Sequence, residues 1–397
     1  MSSDTSSVLS AAKLNPDDFL PGGFKLTFGC DLSSVSDVRF IETDGELVKA
    51  ISEGKSVSLK GSAEDNAVIC SDSKTYEIKE AETSNSMLFI SKFLGPGVCS
   101  GKDLEIAEVE YLTNSYFELS LSPPKLFKLH NLLSTCYFKG EAEEREVDVQ
   151  KLFSVPELTN QVQASLKEVV SCIAAMGAFS LNGYVRLLSF DLSCEMMVHV
   201  IQLCLENDWP LTSIPVEGVC KSLVSIYPKE ILIHFLKFFS PEIPVWSDDN
   251  VVDNNIENVS LSRCKVCQLF GNMILKNGSK FRLRDFIDSW RQVVPNEMDP
   301  VLSDLEDSSI IDYLDLMKQS KEDTSAAMIW YFDKWILPVE NDKRLAVLFA
   351  QKPAWSFNEL FPFFKDLCDK AGLSTILAKY SRSSLVNGTR FYTKKLV

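Results

Sequence analysis

Residues 342–390 carry the sequence DKRLAVLFAQKPAWSFNELFPFFKDLCDKAGLSTILAKYSRSSLVNGTR, which decides how the end of the chain folds. Apolar residues recur there at helical spacing, with one extended break and a closing Asn-Gly hairpin signal. The predicted elements are a helix at Asp342–Ala350, a strand at Trp355-Ser356, a helix at Asn358–Cys368, a turn at Gly372, a helix at Leu373–Tyr380 and a hairpin around Asn387-Gly388. This order is typical of a winged helix, so residues 340–397 are predicted to form one.

Two further winged helices are predicted upstream. Leu269-Phe270 ends a helical apolar run, and Phe281 begins an extended stretch that leads directly into another helix, which places the second winged helix at 255–337. The first is predicted at 151–245, where a helix is followed by two short strands around Asn182-Gly183. The C-terminal part of the chain is therefore mainly helical, with tandem winged-helix domains.

The first third of the chain has a different pattern, in which short β-branched and aromatic runs alternate with Gly, Asp, Ser and Asn. Eight runs fit strands: Phe24–Phe28, Val38–Glu42, Ser56–Lys60, Ala67–Cys70, Thr75–Lys79, Met87–Ile90, Glu105–Tyr111 and Tyr116–Leu121. Asp44-Gly45 fits a tight turn between two of them. Strands at this spacing suggest a barrel or a sandwich, and we predict an all-β, barrel-like domain at 1–124, whose sheet edges need closure or a partner.

A connecting segment is predicted at 125–150. Pro123-Pro124 ends the β pattern, because proline cannot enter a central strand. A short helix at Lys125–Leu133 and an acidic linker at Glu141–Asp148 follow. The predicted fold class is thus a multidomain α+β protein, with an N-terminal all-β barrel-like domain followed by mainly helical tandem winged-helix domains.

The charge distribution points to one end of the chain. The 397 residues include 40 Lys and Arg against 55 Asp and Glu, a net charge of −15, which argues against a surface that binds nucleic acid all over. Residues 371–397 nevertheless lack Asp and Glu, and their cations are the predicted DNA-binding residues: Lys379 and Arg382 at the end of the third helix, and Arg390, Lys394 and Lys395 on the wing. The alternative is an ordinary basic terminus or a protein-docking wing.

The remaining composition predicts a soluble intracellular protein. Residues 1–13 lack the basic start and apolar core of a signal peptide, and the longest apolar runs fall well short of the roughly 20 residues of a membrane helix. The 11 cysteines lie mostly in apolar contexts and are expected to be reduced and buried.

Motifs with catalytic potential are weak. The segment Gly95–Lys102 resembles a phosphate loop, but its spacing is one residue short and Asp103 follows where Ser or Thr is required. Cys264 and Cys267 form a C-x-x-C with no second pair at zinc-site spacing, and the three histidines stand in no nucleophile motif. We predict no catalytic residue, no metal and no cofactor, and therefore not an enzyme.

Several short motifs, in one order along the chain, resemble a known family. They are Ala12–Asn15 with Leu20-Pro21, Lys74–Lys79 (KTYEIK), Thr83–Asn85, Leu88–Ile90, Gln163–Ser165, Gly183-Tyr184 with Arg186, and Lys379–Ser381 with Asn387-Gly388. Together they are similar to the "defective in sister chromatid cohesion" subunit of an alternative replication factor C-like clamp loader. The family usually has Trp where this chain has Val185, a departure that puts in doubt what that wing contacts.

The resemblance implies a non-catalytic subunit of a nuclear, chromatin-associated assembly. Its partners would be a large clamp-loader ATPase subunit and a small third subunit, whose strands pair with the N-terminal β region. The winged helices would meet DNA and the leading-strand DNA polymerase, and the complex would load and unload the sliding clamp and support sister chromatid cohesion. ATP would be used by the other subunits.

Two other hypotheses remain open from the residues alone. A free-standing winged-helix transcription regulator would bind one duplex tightly, whereas an adaptor would bind weakly and without sequence preference. A nucleotide hydrolase would use the Gly95–Lys102 loop, and its ATP turnover would disappear in Lys102→Ala.

Overall fold

The structure is a computed structural model that describes residues 10–13, 24–28, 39–62, 66–90, 105–242, 245–246, 256–313, 327–386 and 388–395. It is a mixed α+β fold with several small sheets, which confirms the predicted α+β class. The chain divides into two compact units: Met1–Gly54 with Tyr76–Leu121, and Lys55–Thr75 with Ser122–Val397. Within the described ranges, none of the helices has both the length and the apolar character to cross a membrane.

Two long strands form the framework of the first unit. In chain order, the elements up to residue 121 are β1 (Phe24–Phe28), β2 (Ile41–Glu42), α1 (Gly45–Ser52), β3 (Ser58–Lys60), β4 (Val68–Cys70), β5 (Thr75–Ile90) and β6 (Glu105–Leu121). β5 pairs antiparallel with β6, and β1 and β2 each pair parallel with β6. β5 joins the strands predicted at Thr75–Lys79 and Met87–Ile90, and β6 joins those predicted at Glu105–Tyr111 and Tyr116–Leu121. The pairing continues through the polar residues between them, with a register shift after Glu82.

The predicted tight turn at Asp44-Gly45 is wrong, because this pair begins a helix. Asp44 is extended and its Oδ1 accepts a hydrogen bond from the Leu47 backbone N–H at 2.9 Å. Its Oδ2 accepts a second one from the Tyr76 hydroxyl at 3.1 Å. Aspartate is a preferred helix N-cap, and the buried Leu47 supplies the apolar face of α1.

The second unit includes the β3–β4 hairpin, which the sequence pattern placed with the first strands. Leu59 pairs with Ile69 across this hairpin. The Lys60 ammonium donates to the backbone carbonyls of Thr159 and Ala164, both at 2.6 Å. These bonds tie residues 55–75 to the chain about a hundred residues later. The five predicted domain segments stay a prediction.

Helices and short strands make up the rest of the second unit. Its elements are α2 (Phe127–Ser134), α3 (Glu141–Glu144), α4 (Val155–Gln161), α5 (Leu166–Ala175), β7 (Phe179–Leu181), β8 (Tyr184–Arg186), α6 (Phe190–Glu206), β9 (Ile214–Pro215), α7 (Val216–Leu223), α8 (Lys229–Phe238), β10 (Asn258–Val259), α9 (Arg263–Lys276), β11 (Phe281–Arg282), α10 (Leu283–Val293), β12 (Ser309–Asp312), β13 (Met328–Tyr331), α11 (Asn341–Gln351), β14 (Ala354–Ser356), α12 (Phe357–Leu360), α13 (Lys370–Tyr380), β15 (Ser381–Val386) and β16 (Thr389–Lys394). Single 3₁₀ turns lie at Val149–Lys151, Leu302–Leu305, Lys334–Ile336 and Phe361–Phe363.

From Phe190 onward, these elements form three modules that share one order. A helix, a strand and a second helix come first, followed by a further helix, a 3₁₀ turn or both, and then by one or two strands. We call them the first module (190–259), the second module (263–332) and the C-terminal module (341–395). The sheet order is β11–β13–β12 in the second and β14–β16–β15 in the C-terminal module, whereas the first has only the pair β9–β10. The sequence predicted this recurrence for the second and C-terminal modules. It did not predict it for the first module, because the strand at Ile214-Pro215 is only two residues long.

The sheet of the second module lies between two hydrophobic cores. Side chains alternate along a strand, so neighbours on β13 point to opposite faces. Ile329 enters a core shared with the first module, whereas Trp330, and Phe332 just beyond the strand, enter the core of the C-terminal module. The second and C-terminal modules therefore pack through one common sheet.

Two details of the C-terminal module differ from the prediction. The helix predicted at Asn358–Cys368 ends at Leu360, where a 3₁₀ turn containing Pro362 replaces it, since proline removes a helical hydrogen-bond donor. Gly372 is not a turn but lies in the first helical turn of α13. Asp369 caps that helix, its Oδ1 accepting from the Gly372 N–H at 2.8 Å.

The pair β7–β8 forms the hairpin predicted around Asn182-Gly183, but it contributes to a core. Val185 is buried in a cluster with Leu158 and Ile173, so this position of the hairpin packs internally. Arg186 is also buried and pairs with Glu144 of α3. The predicted acidic linker thus contains a short helix, and one of its carboxylates is an internal ion-pair partner.

Candidate nucleic-acid interface

The structure places the five predicted DNA-binding residues on α13 and the β15–β16 hairpin that follows it. Lys379 lies in the last turn of α13, Arg382 on β15, Arg390 and Lys394 on β16, and Lys395 directly after it. All five side chains are exposed. Among the described residues, no carboxylate lies within 4.0 Å of any of these cationic groups.

The strand register divides the hairpin cations between two faces. Arg390 pairs with Leu385 and Lys394 with Ser381, and both cations share one face because they are four residues apart on β16. Arg382 pairs with Thr393 and therefore points to the opposite face. The hairpin consequently presents cations on both sides, rather than along one stripe.

Lys379 and Lys395 are brought together at the end of α13. The Lys395 ammonium donates to the Lys379 backbone carbonyl at 3.4 Å, which places a positive charge at the negative end of the helix. The Lys379 ammonium lies 4.9 Å from the ring centroid of Tyr380. Neither contact neutralises the charge of Lys379 or Lys395.

The β15–β16 hairpin is attached to the hydrophobic core of the C-terminal module through Trp355. Trp355 of β14 is 1% exposed and pairs with Tyr392 of β16. Its indole N–H donates to the Leu348 carbonyl at 3.1 Å and to the Lys352 carbonyl at 2.9 Å. α13 ends at Tyr380 and β15 begins at the next residue, so no loop separates the helix from the hairpin.

This arrangement suits the binding of phosphate oxygens. Guanidinium groups can donate two parallel hydrogen bonds to a phosphate, and ammonium groups act as point charges. Because no described carboxylate is paired with these cations, no internal ion pair has to break before a phosphate binds.

Cys264 and Cys267 do not resemble a metal or redox site. Both lie on α9, where Cys264 is exposed and Cys267 buried. Burial raises the pKa of Cys267 to about 11, and burial with the nearby Asp304 carboxylate raises that of Cys264, so both stay thiols near neutral pH. In the parts of the chain that the structure describes, no group of three or more His, Cys, Asp or Glu could hold a metal ion.

The histidines occupy packing positions. A ring nitrogen of His234, Nε2, lies 2.9 Å from the Gly177 carbonyl, and burial lowers the pKa of His234. His199 Nδ1 lies 2.8 Å from the Tyr227 hydroxyl. His130 stacks on Trp335 with ring centroids 4.7 Å apart, and burial lowers its pKa too. The segment Gly95–Lys102 lies outside the described residues.

Three exposed cations of the second module were missed in the sequence: Lys280, Arg282 and Arg284. The signal was present, because residues 258–284 contain neither Asp nor Glu. This signal did not identify a binding site, because the sequence does not show which cations in this stretch form internal contacts.

Comparison with known proteins gives one consistent family. A family model described as "Sister chromatid cohesion protein Dcc1" matches residues 38–364. The chain is 31% identical to sister chromatid cohesion protein DCC1 of Xenopus tropicalis over 99% of this chain and 97% of that protein. It is 29% identical to the Homo sapiens protein of that name, over 99% and 98%, and 26% identical to a probable one of Dictyostelium discoideum, over 90% and 93%.

Proposed function

Because the chain belongs to the Dcc1 family of sister chromatid cohesion proteins, we propose that it is a non-catalytic subunit of an alternative replication factor C-like clamp loader. The family supports a role in sister chromatid cohesion. In the proposed complex, a large ATPase subunit and a small third subunit are the direct partners. The complex acts in the nucleus on chromatin, where it loads and unloads the sliding clamp and is tethered to the leading-strand DNA polymerase.

The first unit is proposed as the assembly module, with partner strands completing a barrel-like sheet. β1 lies at the edge of its sheet within the described strands, and edge strands carry unpaired backbone donors and acceptors. Leu26 and Phe28 on β1 are 38% and 56% exposed. A strand from another chain would pair with this edge and cover both side chains.

The second unit is proposed as the arm that reaches DNA, with winged-helix architecture in its modules. The order of helices and strands in the C-terminal module supports this, with α13 in the position of the third helix and β15–β16 in that of the wing. The observation that carries the proposal is that the five hairpin and helix cations are exposed and have no described carboxylate partner. The predicted segments 1–124 and 151–397 are retained as assembly and tethering regions, with 125–150 between them.

The DNA contact is proposed to be weak and independent of sequence. Five cations in a chain of net charge −15 give modest, strongly salt-dependent binding. Tethering through the assembly raises the effective concentration to roughly millimolar, so modest affinity is sufficient.

The DNA contact is tested by titrating random and selected duplexes at two salt concentrations. We expect similar affinities for both, whereas tight binding of one selected duplex would favour a free-standing transcription regulator. Reversing the charge of Lys379, Arg382, Arg390, Lys394 and Lys395 together is expected to reduce binding while leaving subunit assembly intact. The matched control reverses five other exposed lysines: Lys128, Lys151, Lys167, Lys221 and Lys229. Equal affinity of the two variants would place the DNA surface elsewhere.

The assembly role is tested separately at β1. The double substitution Leu26→Asp and Phe28→Asp places charges where a partner strand would pack, and co-purification with the clamp-loader partners is expected to be lost. Leu205→Asp, at a residue 75% exposed in the second unit, is the control and is expected to leave the complex intact. A complex that tolerates both changes on β1 would show that this edge is not where the partners bind.

A further inference from the structure

A second stretch of the chain is as free of acidic residues as the C-terminal one. Residues 258–284 contain no Asp or Glu, and their cations are Arg263, Lys265, Lys276, Lys280, Arg282 and Arg284. In an acidic chain, such a stretch concentrates positive charge at one place. The structure decides how much of that charge is available to a ligand.

Three of the six cations have internal partners. The Arg263 guanidinium forms two hydrogen bonds with the Asp304 carboxylate, at 2.7 and 2.8 Å. Lys265 donates to the backbone carbonyls of Phe238 and Ser240, at 2.6 and 2.8 Å.

Lys276 lies beside two aromatic rings. Its ammonium lies 4.0 Å from the ring centroid of Phe190 and 4.8 Å from that of Tyr331. Burial lowers its pKa. Lys276 therefore contributes to the contact between the first and second modules, although the residue itself stays exposed.

The other three, Lys280, Arg282 and Arg284, are exposed, and no carboxylate of the described residues lies within 4.0 Å of them. Arg282 lies on β11, an edge strand of its sheet, and Lys280 directly precedes this strand. The Lys280 ammonium lies 4.0 Å from the ring centroid of Trp330, which fixes its position. Arg284 follows in the first turn of α10.

We infer that Lys280, Arg282 and Arg284 form a second phosphate-binding surface for a nucleic-acid backbone. This inference rests on the proposed contact of the chain with DNA. The exposed Asp285 directly follows Arg284, but it forms no ion pair within 4.0 Å with any of these three cations. Exposed cations without internal partners are the chemistry that binds phosphates regardless of sequence.

The sheet that contains Arg282 also packs against the module that carries the C-terminal cations. β11 pairs with β13, and Trp330 of β13 is buried in the core of the C-terminal module. The second and C-terminal modules therefore present their cations from one packed body. One nucleic acid that binds both surfaces gains from each, without the entropy cost of ordering a flexible linker.

The experiment compares two triple variants of the full chain for binding to a random-sequence duplex. One carries Lys280→Glu, Arg282→Glu and Arg284→Glu. The control carries Lys128→Glu, Lys167→Glu and Lys229→Glu, three exposed lysines of the same unit with the same change in net charge. We expect the first variant to lose roughly tenfold or more in affinity relative to the control, and the slope of log affinity against log salt to fall by about 3.

Further measurements make the outcome unambiguous. Both variants are compared with the unmodified chain by circular dichroism and thermal unfolding, and a milder set of three Gln substitutions is expected to give a smaller loss of affinity.

If the first triple variant binds the duplex as tightly as the control variant, the inference is wrong, while the C-terminal contact stays in place. If the first variant keeps its affinity for DNA but loses an acidic protein partner, the surface is a protein-docking site and the inference is wrong. An unmodified chain that binds no duplex defeats both this inference and the proposed DNA contact.

Discussion

Ile310 of β12 pairs with Trp330 of β13, and both side chains are buried in the core of the C-terminal module, although both strands belong to the second module. Phe332, just beyond β13, packs edge-on against Phe363 in that core, with ring centroids 5.5 Å apart. Lys352 reinforces the junction, since its ammonium donates to the Ile311 carbonyl at 2.8 Å and to the Glu359 carboxylate at 2.5 Å. The two modules are therefore expected to unfold together.

Ile310→Ala tests this cooperativity. Removing a fully buried aliphatic side chain is expected to cost about 2–5 kcal/mol in the free energy of unfolding. Ile310 lies on a strand of the second module, but its side chain packs in the core of the C-terminal module. Hydrogen exchange should therefore show lower amide protection in β16 as well as in β12. Ile336→Ala, at a residue 55% exposed, is the control and should cost less than about 0.5 kcal/mol. Loss of protection confined to β11–β13 would show that the modules are independent.

Asp44 provides a test in the first unit. Asp44→Ala removes both the cap of α1 and the acceptor of the Tyr76 hydroxyl, and is expected to lower the stability of this unit by about 1–2 kcal/mol. Asp44→Asn keeps an acceptor oxygen at the same place and should retain most of that stability. Urea denaturation of the three proteins provides the comparison. If Asp44→Ala and Asp44→Asn lower the free energy of unfolding equally, the charge of the carboxylate stabilises the unit and the capping hydrogen bond does not.

The lowered pKa values of two partly buried histidines predict a loss of stability at mildly acidic pH. Burial lowers the pKa of both His130 and His234 below the ordinary 6.5. Below about that pH the unfolded chain binds protons that the folded chain does not, so the free energy of unfolding falls as pH falls. This stabilisation is fully present above about pH 6.5, the ordinary pKa of histidine, and is lost as the pH falls below that value.

The variant His130→Gln, His234→Gln removes both titrating groups. Measured from about pH 7.5 to about pH 5.5, where most carboxylates stay ionised, its stability should change less than that of the unmodified chain. Glutamine keeps an N–H donor that can bond to the Gly177 carbonyl. Parallel pH curves for the two proteins would assign the acid sensitivity to other groups.

Local patterns predicted much of the C-terminal module. Apolar spacing places α11 and α13 close to their observed bounds, and the β15–β16 hairpin forms where Asn387-Gly388 indicates it, although Asn387 itself lies outside the described residues. Positive φ at Gly388 is the conformation that this turn signal requires. These features depend on neighbours in sequence, which is why they can be read from it.

Long-range packing could not be read in the same way. Lys60 looks like an ordinary strand lysine, yet it caps carbonyls 99 and 104 residues away. The five C-terminal cations were identified by charge alone, and only the register shows that Arg382 points away from Arg390 and Lys394. Likewise, three cations of the 258–284 stretch are engaged by side chains and carbonyls that are distant in sequence, such as Asp304 and Phe190.

The interleaving of the two units has a practical consequence for dissecting the molecule. The backbone passes between them three times, at residues 54–55, 75–76 and 121–122, so no single cleavage releases either one whole. A fragment beginning at residue 122 would lack Lys60 and Asn66, and would leave Gln163 without the Asn66 carbonyl that its amide N–H reaches at 2.7 Å. Fragments for crystallisation or binding assays should therefore keep 55–75 attached through a designed linker, or be replaced by point variants in the intact chain.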